Sequence, residues 1–269
     1  MTDFFSKKEK LNRIIMEIKN PVVAYSGGVD SSLLTALAFR YHKDTALAVF
    51  ASTPFIDEDE LEYAKKQADK KNWKMQVVTV DPFVLPEVRT NTKERCYYCK
   101  TMILSELKKE VDAPGAFTFL EGSNFDDEKH FRPGARAVKE QGFLSPLLEA
   151  EFTKEDVRRY ASALLLPAAD KPSRPCLLTR FPYHMESGIK PEVLNKIKEG
   201  EHLLSKALTD NFRLRYVDDH TARIEASLRN QGYLREHPEL LKKIPFDTII
   251  IDKEPFQSGS FDRKKDKYL

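Results

Sequence analysis

The run Ser26-Gly27-Gly28-Val29-Asp30-Ser31 constrains this chain more than any other stretch. An apolar segment of strand length, Pro21-Val22-Val23-Ala24-Tyr25, precedes it. A good helix former, Ser32-Leu33-Leu34-Thr35-Ala36-Leu37-Ala38-Phe39, follows it. A strand therefore ends, glycines turn the chain, and a helix begins. Glycines at such a turn let backbone N–H groups converge on one point, and the helix N-terminus adds partial positive charge there. Ser26 and Ser31 add hydroxyl donors. The turn is expected to cradle phosphate; the bland alternative is a tight turn built of small residues. It is not a Walker A loop, because Gly-x-x-x-x-Gly-Lys-Ser/Thr and its phosphate-holding lysine are missing, and it is not Gly-x-Gly-x-x-Gly.

The pattern around this turn repeats. Thr45-Ala46-Leu47-Ala48-Val49-Phe50, Met75-Gln76-Val77-Val78-Thr79-Val80 and Phe117-Thr118-Phe119-Leu120 read as further strands. A helix capped by Asp57 and running to about Asn72 separates the first two of these, and one from about Tyr98 to Glu110 precedes the last. Leu11, Ile14, Ile15 and Ile18 predict a helix over 8–18. Strands alternating with helices predict an α/β fold, a parallel sheet with helices on both faces. Ligands of such sheets lie at the carboxyl ends of the strands, where the glycine turn falls. Ser52, after the second strand, is a candidate for the nucleoside part of a nucleotide. After the fourth strand comes Glu121-Gly122-Ser123-Asn124-Phe125-Asp126-Asp127. Gly122 lets the chain pass close to a ligand, and the carboxylates suit Mg²⁺ on phosphates. Residues 81–92 and 130–136 read as loops, and Thr153 with Asp156 reads as a helix start.

From about Lys190 the order becomes helix, strand, strand, helix, strand, which predicts a small α+β domain. The expected division is 1–186 for nucleotide binding, and 187–269 for substrate phosphate, oligomer contacts or both. A length of 269 residues suits two unequal domains. Charged residues make up 32% but cancel to +2, which gives no case for a nucleic-acid partner. No run approaches the roughly 18 apolar residues of a membrane span. The first residues, Met1-Thr2-Asp3-Phe4-Phe5-Ser6-Lys7-Lys8, lack a signal-peptide apolar region, so a cytoplasmic location is expected.

Three cysteines in that setting point away from structural disulfides. Cys96 and Cys99 form a Cys-x-x-Cys pair. The spacing suits a redox disulfide, half a zinc site (one using His130 as fourth ligand is an alternative) or two ligands of an iron–sulfur cluster. Cys176 lies among Pro172, Pro175 and Pro182, in a rigid non-helical segment, with Arg174 and Arg180 near enough in sequence to favour thiolate. Three thiolates can hold three irons of a [4Fe–4S] cluster and leave the fourth iron open to a sulfide. Two half-buried packing cysteines and an unrelated third remain the plain alternative. Arg213 and Arg215 are two apart on a strand and so share a face. Paired guanidinium groups suit a phosphate or carboxylate, or else answer Asp218, Asp219 and Glu225 as surface ion pairs. Tyr97, Tyr98 and Trp73 read as packing.

Ser-Gly-Gly-x-Asp-Ser resembles the PP-loop of the ATP pyrophosphatase superfamily, which implies a loop that holds the leaving pyrophosphate while AMP is transferred to an acceptor oxygen. The loop is followed in order by Glu121-Gly122-Ser123-Asn124, Arg132-Pro133-Gly134, Cys176-x-x-Thr179-Arg180-Phe181-Pro182-Tyr183 and Arg213-x-Arg215. With these the chain resembles the LarE family, ATP-dependent sulfur insertases of nickel-pincer nucleotide biosynthesis. The resemblance implies that ATP, with Mg²⁺, adenylates the carboxylates of pyridinium-3,5-biscarboxylic acid mononucleotide, and that sulfur then displaces AMP. It implies nucleotide contacts from Ser26, Gly27, Gly28, Val29, Asp30, Ser31, Ser52, Gly122 and Arg180, with Asp30 on Mg²⁺–pyrophosphate and Arg213 and Arg215 on the substrate phosphate. Some members carry only the cysteine matching Cys176 and sacrifice its sulfur, leaving dehydroalanine. Cys96 and Cys99 make this chain similar to the branch in which three cysteines hold a [4Fe–4S] cluster supplied by a sulfide source. The competing expectations are a PP-loop tRNA thiolase, which needs a basic, aromatic RNA face, and a nucleotide-binding module with structural zinc. A homo-oligomer is expected.

Overall fold

The computed structural model describes residues 2–111, 117–129, 132–172 and 175–257. Along the chain run α1 (Thr2–Glu17), β1 (Pro21–Ala24), α2 (Val29–Tyr41), β2 (Leu47–Ser52), α3 (Glu58–Lys71) and β3 (Met75–Thr79). The one-turn α4 (Pro86–Arg89) follows, then α5 (Arg95–Glu110), β4 (Thr118–Leu120), α6 (Pro133–Glu140), the one-turn α7 (Pro146–Glu149) and α8 (Lys154–Ala163). The rest holds α9 (Pro191–Ser205), β5 (Phe212–Tyr216), β6 (Thr221–Ala226), α10 (Leu228–Glu236), α11 (Pro238–Leu241) and β7 (Thr248–Ile251). The chain forms two compact units. One comprises Met1–Val88 with Glu94–Arg174, the other Arg89–Lys93 with Pro175–Leu269.

The first unit is the expected α/β layer structure. Its four strands are all parallel, in the order β3-β2-β1-β4. Val22, Val23, Val49 and Phe50 are buried, as strands covered on both faces require. Each such side chain contributes about 1.5–3 kcal/mol by leaving water. Leu33, Leu34 and Leu37 of α2 are fully buried, and Ser31, Ser32 and Thr35 are buried with them, so the helix lies within the core. Trp73 closes that core, with its ring 5.9 Å from Tyr25 and 6.1 Å from Phe39. Leu11 and Ile15 fix α1, which begins at Thr2, ahead of the predicted 8–18, because Phe4 packs on Phe152 and under Arg159.

Two local readings change. The stretch 130–136 was expected as a loop, but Pro133-Gly134 opens α6; His130 itself lies outside the described residues. Proline is suited to the first helical position, where its missing N–H costs nothing. A side chain at Gly134 would meet Lys100 at 3.2 Å and the Cys96 carbonyl at 3.5 Å, so the glycine lets α6 lie against α5. Helix α5 begins at Arg95 rather than Tyr98, which places both cysteines of the pair on the helix. Residues 143–147 extend the sheet edge through a parallel bridge between Leu120 and Leu144.

The second unit carries a mixed three-stranded sheet in the order β5-β6-β7, with β5 and β6 antiparallel and β6 and β7 parallel. Helix α9 covers one face through Gly200, where a side chain would run into Leu214 and Ile244. Among the described residues, no helix is long and apolar enough to cross a membrane.

Candidate active site

The strand order reverses between β1 and β4, so the crevice at their carboxyl ends is the switch point of the sheet. Two loops meet there. The first is the glycine turn after β1. Gly27 has φ +70°, a left-handed conformation that glycine adopts without strain, and a side chain there would crowd Ala64 at 3.3 Å. The Ser31 hydroxyl donates to the Gly28 carbonyl at 3.1 Å and accepts from the Ser26 N–H at 3.1 Å. The two serine Oγ atoms lie 3.1 Å apart. Beneath the turn, Gln67 donates to the Tyr25 hydroxyl at 2.6 Å and to Ser32 at 2.8 Å. Burial pushes the Tyr25 phenol up to about 12, so it stays a neutral strut.

The second loop follows β4. A side chain at Gly122 would stand 3.2 Å from Asp30 Cβ and 3.2 Å from the Ser31 nitrogen, so the two loops touch. Asn124 Nδ2 donates to Asp30 Oδ1 at 3.0 Å, and Lys154 Nζ pairs with Asp30 Oδ2. Both oxygens of the loop carboxylate therefore have partners. Lys154 opens α8, whose capping box of Thr153 and Asp156 forms as expected. The Lys154 N–H donates to Asp126 at 2.8 Å, while Asp127 accepts from the Asn124 N–H at 3.1 Å and pairs with Arg132 at 2.9 Å. These carboxylates brace the loop and the start of α8. Asn124 and Lys154 were not recognised as partners of Asp30 from sequence, and no short-range pattern marks them. Ser52 ends β2 on the same edge.

Glu121 begins the second loop and is buried, 5% exposed. It receives Lys100 Nζ at 2.9 Å, Ser145 at 2.5 Å, and both the N–H and hydroxyl of Ser123 at 3.0 Å. Burial works against its charge, but the Lys100 cation and these hydrogen bonds outweigh it and hold the carboxyl below its ordinary value. Lys100 follows Cys99 on α5, so this pair ties the cysteine-bearing helix to the switch point. Cys96 and Cys99 are three apart at the start of α5 and share a face.

None of the three cysteines is in a disulfide; Cys96 and Cys176 are exposed and Cys99 is half-buried. Thiolates of this kind suit iron by softness and charge, so the donor chemistry fits an iron–sulfur cluster. Among the described residues, no three His, Cys, Asp or Glu side chains are gathered closely enough to hold a metal ion. Cys96 and Cys99 belong to the first unit and Cys176 to the second.

In the second unit, Cys176 precedes a short 3₁₀ turn, Leu177–Arg180. Arg180 is 3% exposed and forms a two-pronged ion pair with Glu201, at 2.6 and 2.8 Å. Arg215 pairs with Glu225 at 2.9 Å and donates to the Thr179 carbonyl. Arg213 donates to the Phe212 carbonyl and lies over the Phe256 ring at 5.0 Å. Burial, followed by repulsion from Arg180 and Arg215, pushes the Arg213 guanidinium down to about 10. It stays charged at neutral pH, in a field that an anion would relieve. Arg174 lies outside the described residues.

A family model described as asparagine synthase matches residues 16–92, the stretch that holds β1, the glycine turn and β2. An uncharacterized protein of Synechocystis sp. is 33% identical over 264 residues, which is 96% of this chain and 97% of its own. An uncharacterized protein of Methanocaldococcus jannaschii is 33% identical over 262 residues, 95% of this chain and 99% of its own. The pyridinium-3,5-bisthiocarboxylic acid mononucleotide synthase of Lactiplantibacillus plantarum is 29% identical over 264 residues, 96% of this chain and 95% of its own. Given likeness over nearly the whole length and a glycine turn built at the switch point of a parallel sheet, this chain belongs to one family with the Synechocystis and Methanocaldococcus proteins, a family of PP-loop, ATP-using proteins similar to the Lactiplantibacillus synthase.

Proposed function

We propose that this protein is an ATP-dependent sulfurtransferase acting on the carboxylates of pyridinium-3,5-biscarboxylic acid mononucleotide. The observation that carries this reading is the closure of the PP-loop on the loop after β4, through Asp30, Asn124 and Lys154. ATP phosphates sit against the turn from Ser26 to Ser31, with Gly122 allowing close approach and Ser52 on the nucleoside side. Asp30 takes Mg²⁺ on the pyrophosphate, and Lys154, released from Asp30, offers its charge to the phosphates. A substrate carboxylate oxygen attacks the α-phosphorus, and the α–β bridging oxygen leaves with pyrophosphate. Sulfide then attacks the acyl carbon, the C–O bond to AMP breaks, and a thiocarboxylate remains. A second round treats the other carboxylate.

Cys96, Cys99 and Cys176 are the residues that would hold a [4Fe–4S] cluster. Bound by three thiolates, such a cluster leaves one iron with an open position able to hold a sulfide. Arg213 anchors the substrate phosphate, and Arg215 and Arg180, each tied to a glutamate, shape the positive field around it. The protein works in the cytoplasm as a homo-oligomer, with an external sulfide source. The exposed thiol of Cys176 favours one second reading, in which that cysteine gives up its own sulfur.

Substrate-dependent exchange of labelled pyrophosphate into ATP tests the activation step. Exchange that requires the biscarboxylate mononucleotide, and disappears in Asp30→Asn, supports it. Exchange indifferent to that substrate overturns it.

A further inference from the structure

We propose that Asn91 is the positioning residue for Cys176. The inference concerns the second unit alone and deepens the sulfur-transfer reading, on which the role of Cys176 rests.

Asn91 is fully buried, yet it lies in a stretch that reads from sequence as an ordinary loop. Its Nδ2 donates to three carbonyls: Leu178 at 3.2 Å, Phe181 at 3.0 Å and Pro182 at 2.8 Å. Those carbonyls belong to the 3₁₀ turn that follows Cys176 and to its exit. The Leu178 carbonyl also accepts from the Phe181 N–H at 3.3 Å, while the Phe181 and Pro182 carbonyls lie just past the turn, where a buried side-chain amide supplies a donor. On the near side of the turn, the Thr179 N–H and hydroxyl donate to the Cys176 carbonyl at 3.0 and 2.8 Å. Cys176 is thereby bonded to a turn whose far side is held by Asn91.

The backbone around Asn91 is pinned as well. His184 N–H donates to the Asn91 carbonyl at 3.3 Å, Met185 N–H to Thr90 at 2.9 Å and Ile189 N–H to Arg89 at 2.7 Å. Gly188, with φ +72°, leaves space for the Arg89 side chain to lie across it. Residues 89–91 thus form a strap along 178–189. Asn91 itself has φ +54°, a conformation that asparagine tolerates far better than most residues. The position requires both that backbone and a side-chain donor of this length, and asparagine supplies both.

The test compares the full-length anaerobic protein with Asn91→Gly, which keeps the backbone conformation and removes the amide. Hydrogen exchange of the 177–181 amides and alkylation of Cys176 by iodoacetamide are each expected to change at least about tenfold. The kcat for thiocarboxylate formation is expected to fall at least about tenfold, with the KM for ATP within about twofold of wild type. Asn91→Ser, whose shorter side chain loses the reach to these carbonyls, should change the readouts in the same direction, and it carries them if Asn91→Gly does not fold. Unchanged exchange and alkylation overturn the proposal, as does faster exchange with wild-type kcat. If the wild-type protein transfers no sulfur, the sulfur reading fails, and the exchange and alkylation results alone decide for or against Asn91.

Discussion

At the scale of single residues, the site rests on one carboxylate with two partners. Asp30 accepts from Asn124 and pairs with Lys154, which lies 124 positions away in sequence. Under the proposed function, a cation held against the PP-loop carboxylate is well placed to meet phosphate charge once Asp30 turns to Mg²⁺. Lys154→Gln should therefore slow pyrophosphate exchange by about tenfold to a hundredfold while leaving the circular dichroism spectrum unchanged. Exchange at the wild-type rate would remove Lys154 from the site. Asp30, the serines and the glycines were legible in sequence because a strand–glycine–helix turn is a local steric signature. Lys154 was not, because Thr153-Lys154-Glu155-Asp156 shows only a helix start, and its partner is set by the packing of α8 beside α2. Asn91 was hidden for the same reason: nothing in its neighbourhood names the three carbonyls it serves.

At the scale of elements, Glu121 ties the loop after β4 to α5. Its carboxyl sits below its ordinary value of 4.5, so the ionised form is the one the fold prefers. A depressed carboxylate contributes stability that is fully present above its unfolded value and is lost as the pH falls through the folded one. Urea midpoints should hold from pH 7 to about 5 and decline below about 4.5 in the wild-type protein. In Glu121→Gln the midpoint should be lower at pH 7, and the decline below about 4.5 should be shallower. An identical acid slope in the two proteins would show that Glu121 is not the group responsible.

The strands and α2, α3 and α8 could be read from apolar runs, periodicity and caps. Helix α6 could not, since Pro133-Gly134 reads as a loop unless the α5 surface that accepts Gly134 is known. Helix α5 was placed too late for a related reason: its first turn, Arg95-Cys96-Tyr97, has no capping signal, and Glu94 makes no side-chain cap hydrogen bond.

At the scale of the whole molecule, the two units divide the chemistry. The first carries the PP-loop and Cys96 with Cys99; the second carries Cys176 and the arginines of β5. Burial and two neighbouring cations hold the Arg213 guanidinium down at about 10, so a bound dianion should stabilise the folded protein. Phosphate or sulfate at millimolar concentration should raise the melting temperature of the wild-type protein, and the rise should vanish in Arg213→Met. An equal rise in both proteins would place the anion elsewhere. The α/β class and the small α+β unit were legible from the order of elements. The passage of residues 89–93 into the second unit was not, because it depends on hydrogen bonds to segments nearly a hundred positions away, such as Met185 on Thr90.

Whether the cysteines act as a renewable sulfur centre is decided by counting product. Anaerobic protein, loaded with iron and given excess sulfide, ATP and the biscarboxylate mononucleotide, should form many thiocarboxylates per chain, with the mass at position 176 still that of cysteine. One thiocarboxylate or fewer per chain, with dehydroalanine at position 176, would contradict the three-cysteine reading and leave Cys176 as a sacrificial donor.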